Sequence, residues 1–258
     1  MNASKNSQTK RVRPNLATLD EIDVERAPKV GDSAARRLAE YIVSNSIPIG
    51  TSLPPEKELA ESLGIGRGTM REALRLLETF GLVEMRTGRY GGAVVRRPDA
   101  RDLGVSLTLA FYANGASMWD VLDARLAMEP TLARMAARRI TSEDLEALRE
   151  TVRNMRDQLE IQDRFTAEAH RFHEIVFRAA EAPILSYLCS GLEKITGITY
   201  APPERLGTAS AHEAIIKALD ARDSDLAADL WEAHLTDAGE HWRRQFPERA
   251  ANSVQWTL

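Results

Sequence analysis

Residues 51–98 change their apolar period twice, and this constrains the fold more than any other feature of the chain. "PEKELAESL" reads as a short helix entered through Pro55, a position where a missing N–H is tolerated. "GIG" is a tight turn. "RGTMREALRLLETF" returns to helical period, with Met70, Ala73, Leu74 and Leu77 on one stripe and Gly81 as its stop. The period then falls to two through Val83 and Met85. "TGRYGG" makes a glycine-rich tip, "AVVR" returns as a second strand, and Pro98 closes the unit. Upstream, Ala35, Leu38, Ala39 and Ile42 define an earlier helix, ended by the proline- and glycine-bearing "IPIGTSLPP". Three helices, a tight turn between the second and third, and a β-hairpin predict a winged helix-turn-helix over residues 29–98. Residues 1–28 are polar and without period, and are expected to be a disordered arm.

Beyond Pro98 strand-like alternation is gone. Helices are predicted over 101–113, 118–139, 142–161, 163–181, 183–198, 209–221 and 223–244, with a capping-box pattern opening "TSEDLEAL". Breaks fall at Asn114–Gly115, near Pro183, at "APPERLG" and at Ala221–Asp223. The chain therefore reads as mainly α: a linker helix over 99–116, an all-α domain over 117–246 and a loose tail over 247–258.

Charge divides along the same line. Residues 33–98 carry ten basic and seven acidic side chains, whereas residues 99–258 carry eighteen and twenty-six. Polyanion contact is expected at the front. The lone Cys189 can form no internal disulfide and reads as buried and inert. No apolar run reaches membrane-spanning length, and the first residues lack the apolar core of a secretory signal, so a cytoplasmic location is expected.

The third helix can lie in a major groove and present Arg67, Thr69 and Arg71 from its first turns. Arg86 and Arg89 flank the hairpin tip, where Thr87, Gly88, Gly91 and Gly92 let backbone approach DNA. A helix-turn-helix pattern alone would equally suit an accessory module with a solvated basic helix. The arginine-bearing helix followed by a glycine–arginine hairpin is more specific. "GTSLPPEKELAESLGIGRGTMREALRLLETFGLVEMRTGRYGGAVV" resembles the DNA-binding domain of GntR-family bacterial transcription regulators. The resemblance implies DNA contacts from Lys57, Arg67, Thr69, Arg71 and the wing around Thr87–Arg89. It also shows departures. Gly66 stands where a serine usually caps the third helix, Gly68 loosens its first turn, and Lys57 replaces an arginine, losing bidentate recognition.

"MWDVLDARLAMEPTLARMAARRITSEDLEALRETVRNM", "RFHEIVFRAAEAPIL" and "HEAIIKALDARDSDLAADLWEAHL" resemble the helical FCD effector domain of the FadR-like GntR subgroup. The resemblance implies a divalent metal, Zn or Ni, on His173, His212 and His234, each of which falls on an apolar stripe of its helix. The usual aspartate four residues before the first histidine is Ala169 here. Glu168 and His170 are its neighbours, and His170 is displaced about 60° from His173 on an ideal helix. Polar core groups with hydrogen-bonded partners are the competing reading of these histidines. The resemblance also gives Arg125 as a bidentate clamp for a small carboxylate effector. A salt bridge from Arg125 to Asp123 or Glu129 is the alternative. His241 shares the face of His234 and is expected to be structural or at a pocket mouth.

The function so implied is a homodimeric, operator-binding transcription regulator controlled by a small organic acid, free or metal-bound. A helical domain that only dimerises, and a metal-dependent enzyme, are the alternatives. No carboxylate base accompanies the histidines, which counts against the enzyme.

Overall fold

The computed structural model describes residues 30–88, 91–196, 202–245 and Val254. The expected arm over 1–28, Arg89 and nearly all of the expected tail lie outside the described residues. The chain folds as two units that divide at Arg96 and Arg97, two residues before the expected boundary.

In the first unit, α1 (Val30–Ser44), α2 (Glu56–Leu63) and α3 (Arg67–Thr79) precede β1 (Val83–Arg86) and β2 (Gly92–Val95). The strands pair antiparallel, with Val83 opposite Val95 and Arg86 opposite Gly92. The core takes Ala34, Ala35, Leu38 and Ile42 from α1, Leu59 and Ala60 from α2, the α3 stripe Met70, Ala73, Leu74 and Leu77, and Val83 and Val95 from the hairpin. The α3 stripe is the one its period predicts. Ala39 is only half-buried, and Ala34 takes its place in the core.

The segment "IPIGTSLPP" does more than break a helix. Ser52 bridges Val94, and the N–H groups of Gly50 and Leu53 donate to the carbonyls of Val95 and Ala93 at 2.8 Å. A third short strand thus lies along β2. Its prolines, Pro48 and Pro54, flank the bridged residues, so no ladder N–H is missing.

The second unit is all α among its described residues: α4 (Ala100–Ala113), α5 (Met118–Arg139), α6 (Ser142–Asp157), α7 (Gln162–Ala179), α8 (Pro183–Thr196), α9 (Pro202–Asp220) and α10 (Ser224–Gln245). Helix α5 is central and packs against α7, α8, α9 and α10. Capping boxes start three helices, at Asp99, Ser117 and Thr141. Pro130 lies inside α5, where its ring nitrogen cannot donate to the Leu126 carbonyl. Leu132, Ala133, Ala136, Ile140, Leu148, Phe172, Val176, Phe177, Ile215, Leu219 and Trp231 form one core. Helix α6 stops at Asp157, four residues before its expected end. Helix α9 starts at Pro202, seven residues early. "APPERLG" looks like a break, but prolines in a first turn give up N–H groups that have no partner there. Val254, in the expected tail, is buried beside Met118, Val121 and Leu192, and its N–H donates to the Ala116 carbonyl at 2.8 Å. None of the described helices is long and apolar enough to cross a membrane.

Candidate nucleic-acid face and metal centre

Helix α2 ends at Gly64, whose φ of 67° lets its N–H turn back to the carbonyls of Ala60 and Glu61. This left-handed residue makes the turn tight enough for α3 to start at Arg67. The buried α3 stripe fixes which face looks outward: Arg67 and Arg71 are exposed and Thr69 is half-buried. Arg71 lays its guanidinium on Glu56, with Nε at 3.2 Å and Nη2 at 3.0 Å from Oε2. The pair joins the first turns of α2 and α3 and aims Arg71. Solvent screens the pair at this exposure, so a phosphate or a base edge can displace it. Lys57 is exposed, 3.8 Å from Glu61. Arg86, Thr87 and Gly88 are exposed at the hairpin tip, with Arg86 3.4 Å from Glu84. Gly88 has a φ of 109°, and a Cβ on Gly91 would stand 2.3 Å from the Arg86 carbonyl, so both positions need glycine.

In the second unit, α7, α9 and α10 bring His173, His212 and His234 together. One ligating nitrogen from each lies within 4.8 Å of the other two. His212 Nε2 and His234 Nε2 are 3.3 Å apart. All three side chains are buried. Phe172 stacks on the His212 ring at 3.9 Å between centroids, and Trp231 lies 4.8 Å from the His173 ring. Burial pushes the His173 imidazolium down to about 4, with Glu129 opposing and Arg125 assisting. Burial also holds His212 and His234 well below the usual histidine value, each helped by neighbouring positive charge. At neutral pH the cluster is three uncharged imidazoles, the protonation state that metal binding requires.

The residues around the cluster sort themselves. Ala169 is buried one turn before His173 and presents only a methyl group. Glu168 faces Arg171 at 3.6 Å. His170 is 3.9 Å from Glu193 and does not join the three-histidine group. Arg125 is 3% exposed and bridges Glu129, with Nε 2.6 Å from Oε1. That geometry matches the salt-bridge alternative, and Trp231 Nε1 donates to the same carboxylate at 3.0 Å. His241 lies 3.4 Å from Glu204. It lines a cavity of about 270 Å³ together with Thr208, Ala211, His234 and Arg244, so it sits beside the cluster and not within it. Cys189 is fully buried, and burial pushes its thiol up to about 12.

Sequence reasoning missed Glu193. It is 3% exposed on α8, with Oε1 3.1 Å from His173 Nδ1 but out of line for a hydrogen bond. The signal was available: Glu193 stands one turn after Cys189, beside Leu192, on the stripe that α8 buries.

A pH dependence follows for the metal-free protein. The folded histidines bind protons less readily than unfolded ones, whose pKa is about 6.5. Above that value both states are neutral and nothing is lost. As pH falls from about 6.5 towards 4, the unfolded chain takes up protons that the folded chain refuses, so stability drops. His173 alone accounts for roughly 3 kcal/mol by the bottom of that window. Urea unfolding of chelator-treated protein at pH 7.5, 6 and 4.5 should show the loss. The disappearance of this slope in a His173→Phe, His212→Phe, His234→Phe variant would assign it to the cluster.

Two family models match the chain. Residues 31–94 match the DNA-binding domain of "Bacterial regulatory proteins, gntR family", and residues 120–237 match the FCD domain. The chain belongs to the GntR family. This GntR-family chain is 36% identical over 121 residues to the HTH-type transcriptional regulator Rv0494 of Mycobacterium tuberculosis. That match covers 46% of this chain and 49% of the relative, so the chain spans about half the relative's length. It is 26% identical over 228 residues to the HTH-type transcriptional repressor NanR of Cronobacter sakazakii, covering 83% and 86% of the two chains. Among solved structures, Streptococcus agalactiae GntR matches with a TM-score of 0.59 and 27% identity, over 80% of this chain and 98% of its own. The family and these relatives are transcriptional regulators, not enzymes.

Proposed function

We propose that this GntR-family chain is a cytoplasmic transcription regulator that binds a partly two-fold operator as a homodimer. The observation that carries the reading is the exposed N-terminal part of α3, with Arg67 and Arg71 held outward by the buried stripe beneath them. The exposed Lys57 and Arg86 add basic side chains, and Thr69, Thr87, Gly88 and Arg89 complete the proposed contacts. One such module reads only a few base pairs, so two half-sites are needed for useful specificity.

The helical unit would be the sensor. Two nitrogens on a tetrahedral zinc at 2.0–2.1 Å stand roughly 3.3–3.4 Å apart. The Nε2 atoms of His212 and His234 already stand 3.3 Å apart. His212 Nδ1 is buried with no hydrogen-bond partner, so its ring is held by the stacked Phe172 and by the Nε2 contact with His234. The donor set therefore fits Zn²⁺ or Ni²⁺ through three neutral imidazoles. Such an ion would act as a Lewis acid for one small carboxylate. The cavity beside the cluster, lined by His234, His241, Arg244, Glu204 and Asp237, offers that acid the guanidinium of Arg244. A second reading, a helical unit that dimerises without effector, is favoured by the Arg125–Glu129 pair, which engages the expected carboxylate clamp.

In vitro selection from random duplexes tests the proposal. The expected product is a two-fold element whose half-sites are centred about one helical turn apart. Zn²⁺ with a pool of small carboxylates should change the affinity for that element. Selection of no duplex, or only of asymmetric sequences, would overturn the operator reading. An affinity indifferent to metal and acids would leave the dimer-only reading.

A further inference from the structure

Helix α7 offers the histidine cluster no acidic group. Ala169 is a methyl, and Glu168 is turned to Arg171 at 3.6 Å. Three neutral imidazoles would leave a divalent cation with its full charge in a buried site, where charge without an opposite partner is costly. A ligating histidine also needs its second nitrogen fixed, because that nitrogen decides which tautomer presents a lone pair to the metal.

Glu193 meets both needs from a different helix. Its carboxylate is 3% exposed, and Oε1 lies 3.1 Å from His173 Nδ1. It is outside the group whose ligating atoms all lie within 4.8 Å of one another, so its place is behind His173 and not on the ion. His170 Nε2 approaches the same oxygen at 3.9 Å and is itself largely buried. With Nδ1–H given to Oε1, Nε2 would be the His173 nitrogen that keeps a lone pair for a metal. The geometry points to Glu193 as the positioning carboxylate of the metal centre. It sets the tautomer and ring angle of His173 and places on α8 a carboxyl group that α7 lacks. The inference rests on the metal reading above.

The test is Zn²⁺ affinity of the full chain by chelator competition, for the native protein, Glu193→Gln, Glu193→Asp and Glu193→Gln combined with Ala169→Asp. Loss of such a partner lowers metal affinity about 10–100-fold. Glu193→Gln should show that loss while the melting temperature of the metal-free protein stays close to native. Glu193→Asp, which keeps the charge but withdraws it by one methylene, should fall between the two and serves if the glutamine variant folds poorly. Ala169→Asp in the Glu193→Gln background should recover affinity by placing a carboxylate one turn from His173. The ligand-field spectrum of bound Co²⁺ adds a readout that a purely structural role would not move. It should change between native and Glu193→Gln protein. Native affinity and an unchanged spectrum in Glu193→Gln would overturn the role of Glu193 and leave the metal centre standing. No Zn²⁺ uptake by the native chain would overturn both.

Discussion

Replacing Arg67 and Arg71 together with alanine is expected to lower operator affinity at least about thirtyfold at fixed salt. Each arginine that grips a base edge or a phosphate contributes roughly 1–3 kcal/mol, and 1.4 kcal/mol is a factor of ten. The two side chains lie on the exposed face of α3, opposite Met70, Ala73, Leu74 and Leu77, so their removal leaves the core of the unit intact. The melting temperature should therefore hold while binding fails. Arg71 is the more informative of the two. Its bond to Glu56 means that Arg71→Ala also releases a carboxylate beside the phosphates, so repulsion joins the missing attraction. Arg153→Ala, at an exposed position of α6 paired with Glu146, serves as the control and should leave affinity unchanged. Fluorescence anisotropy on a selected operator across a salt series reads both effects. The slope against salt should flatten by about one for each phosphate that an arginine no longer neutralises. Affinity within a factor of three of native for the double variant would mean that α3 is not the reading helix.

The reading helix was legible in the sequence because its signal is local. A 3.6-residue period assigns Met70, Ala73, Leu74 and Leu77 inward, and that alone sends Arg67 and Arg71 outward. The same period placed His173, His212 and His234 on inward stripes, and α7, α9 and α10 do converge there. What stayed hidden depends on partners distant in sequence. The edge pairing of Ser52 with Val94 joins segments 42 residues apart in number, and no period announces it. Glu193 was obscured because a single acidic residue in an apolar helix normally marks its solvent side. Its i to i+4 step from Cys189 was the one local sign against that, and the packing of α8 against α5 and α7 buries it. The early start of α9 was missed for a different reason. Two prolines argue against a helix interior, yet at its first positions they are compatible with one.

Glu129→Ala is expected to destabilise the helical unit by about 3–5 kcal/mol, the cost of leaving a buried charge without its counter-ion. Glu129 is fully buried and joins two side chains of the helical unit while acting on a third. Its Oε1 takes Arg125 Nε at 2.6 Å, its Oε2 takes Trp231 Nε1 at 3.0 Å, and its charge is felt at His173. The i to i+4 spacing on α5 places Arg125 and Glu129 on one face, and Trp231 reaches them from α10. Removing the carboxylate alone strips Arg125 of this partner and Trp231 of its acceptor. Replacing both charged groups, as Arg125→Met with Glu129→Leu, removes the buried pair together and leaves the indole N–H without this acceptor. That double variant should lose about 1–3 kcal/mol, less than the single one. Urea unfolding with matched slopes measures the difference. A single variant no worse than the double would show that Arg125 finds water or another carboxylate when Glu129 is gone. The pair would then be an adaptable contact, and Arg125 would regain its standing as a group able to turn towards a bound acid.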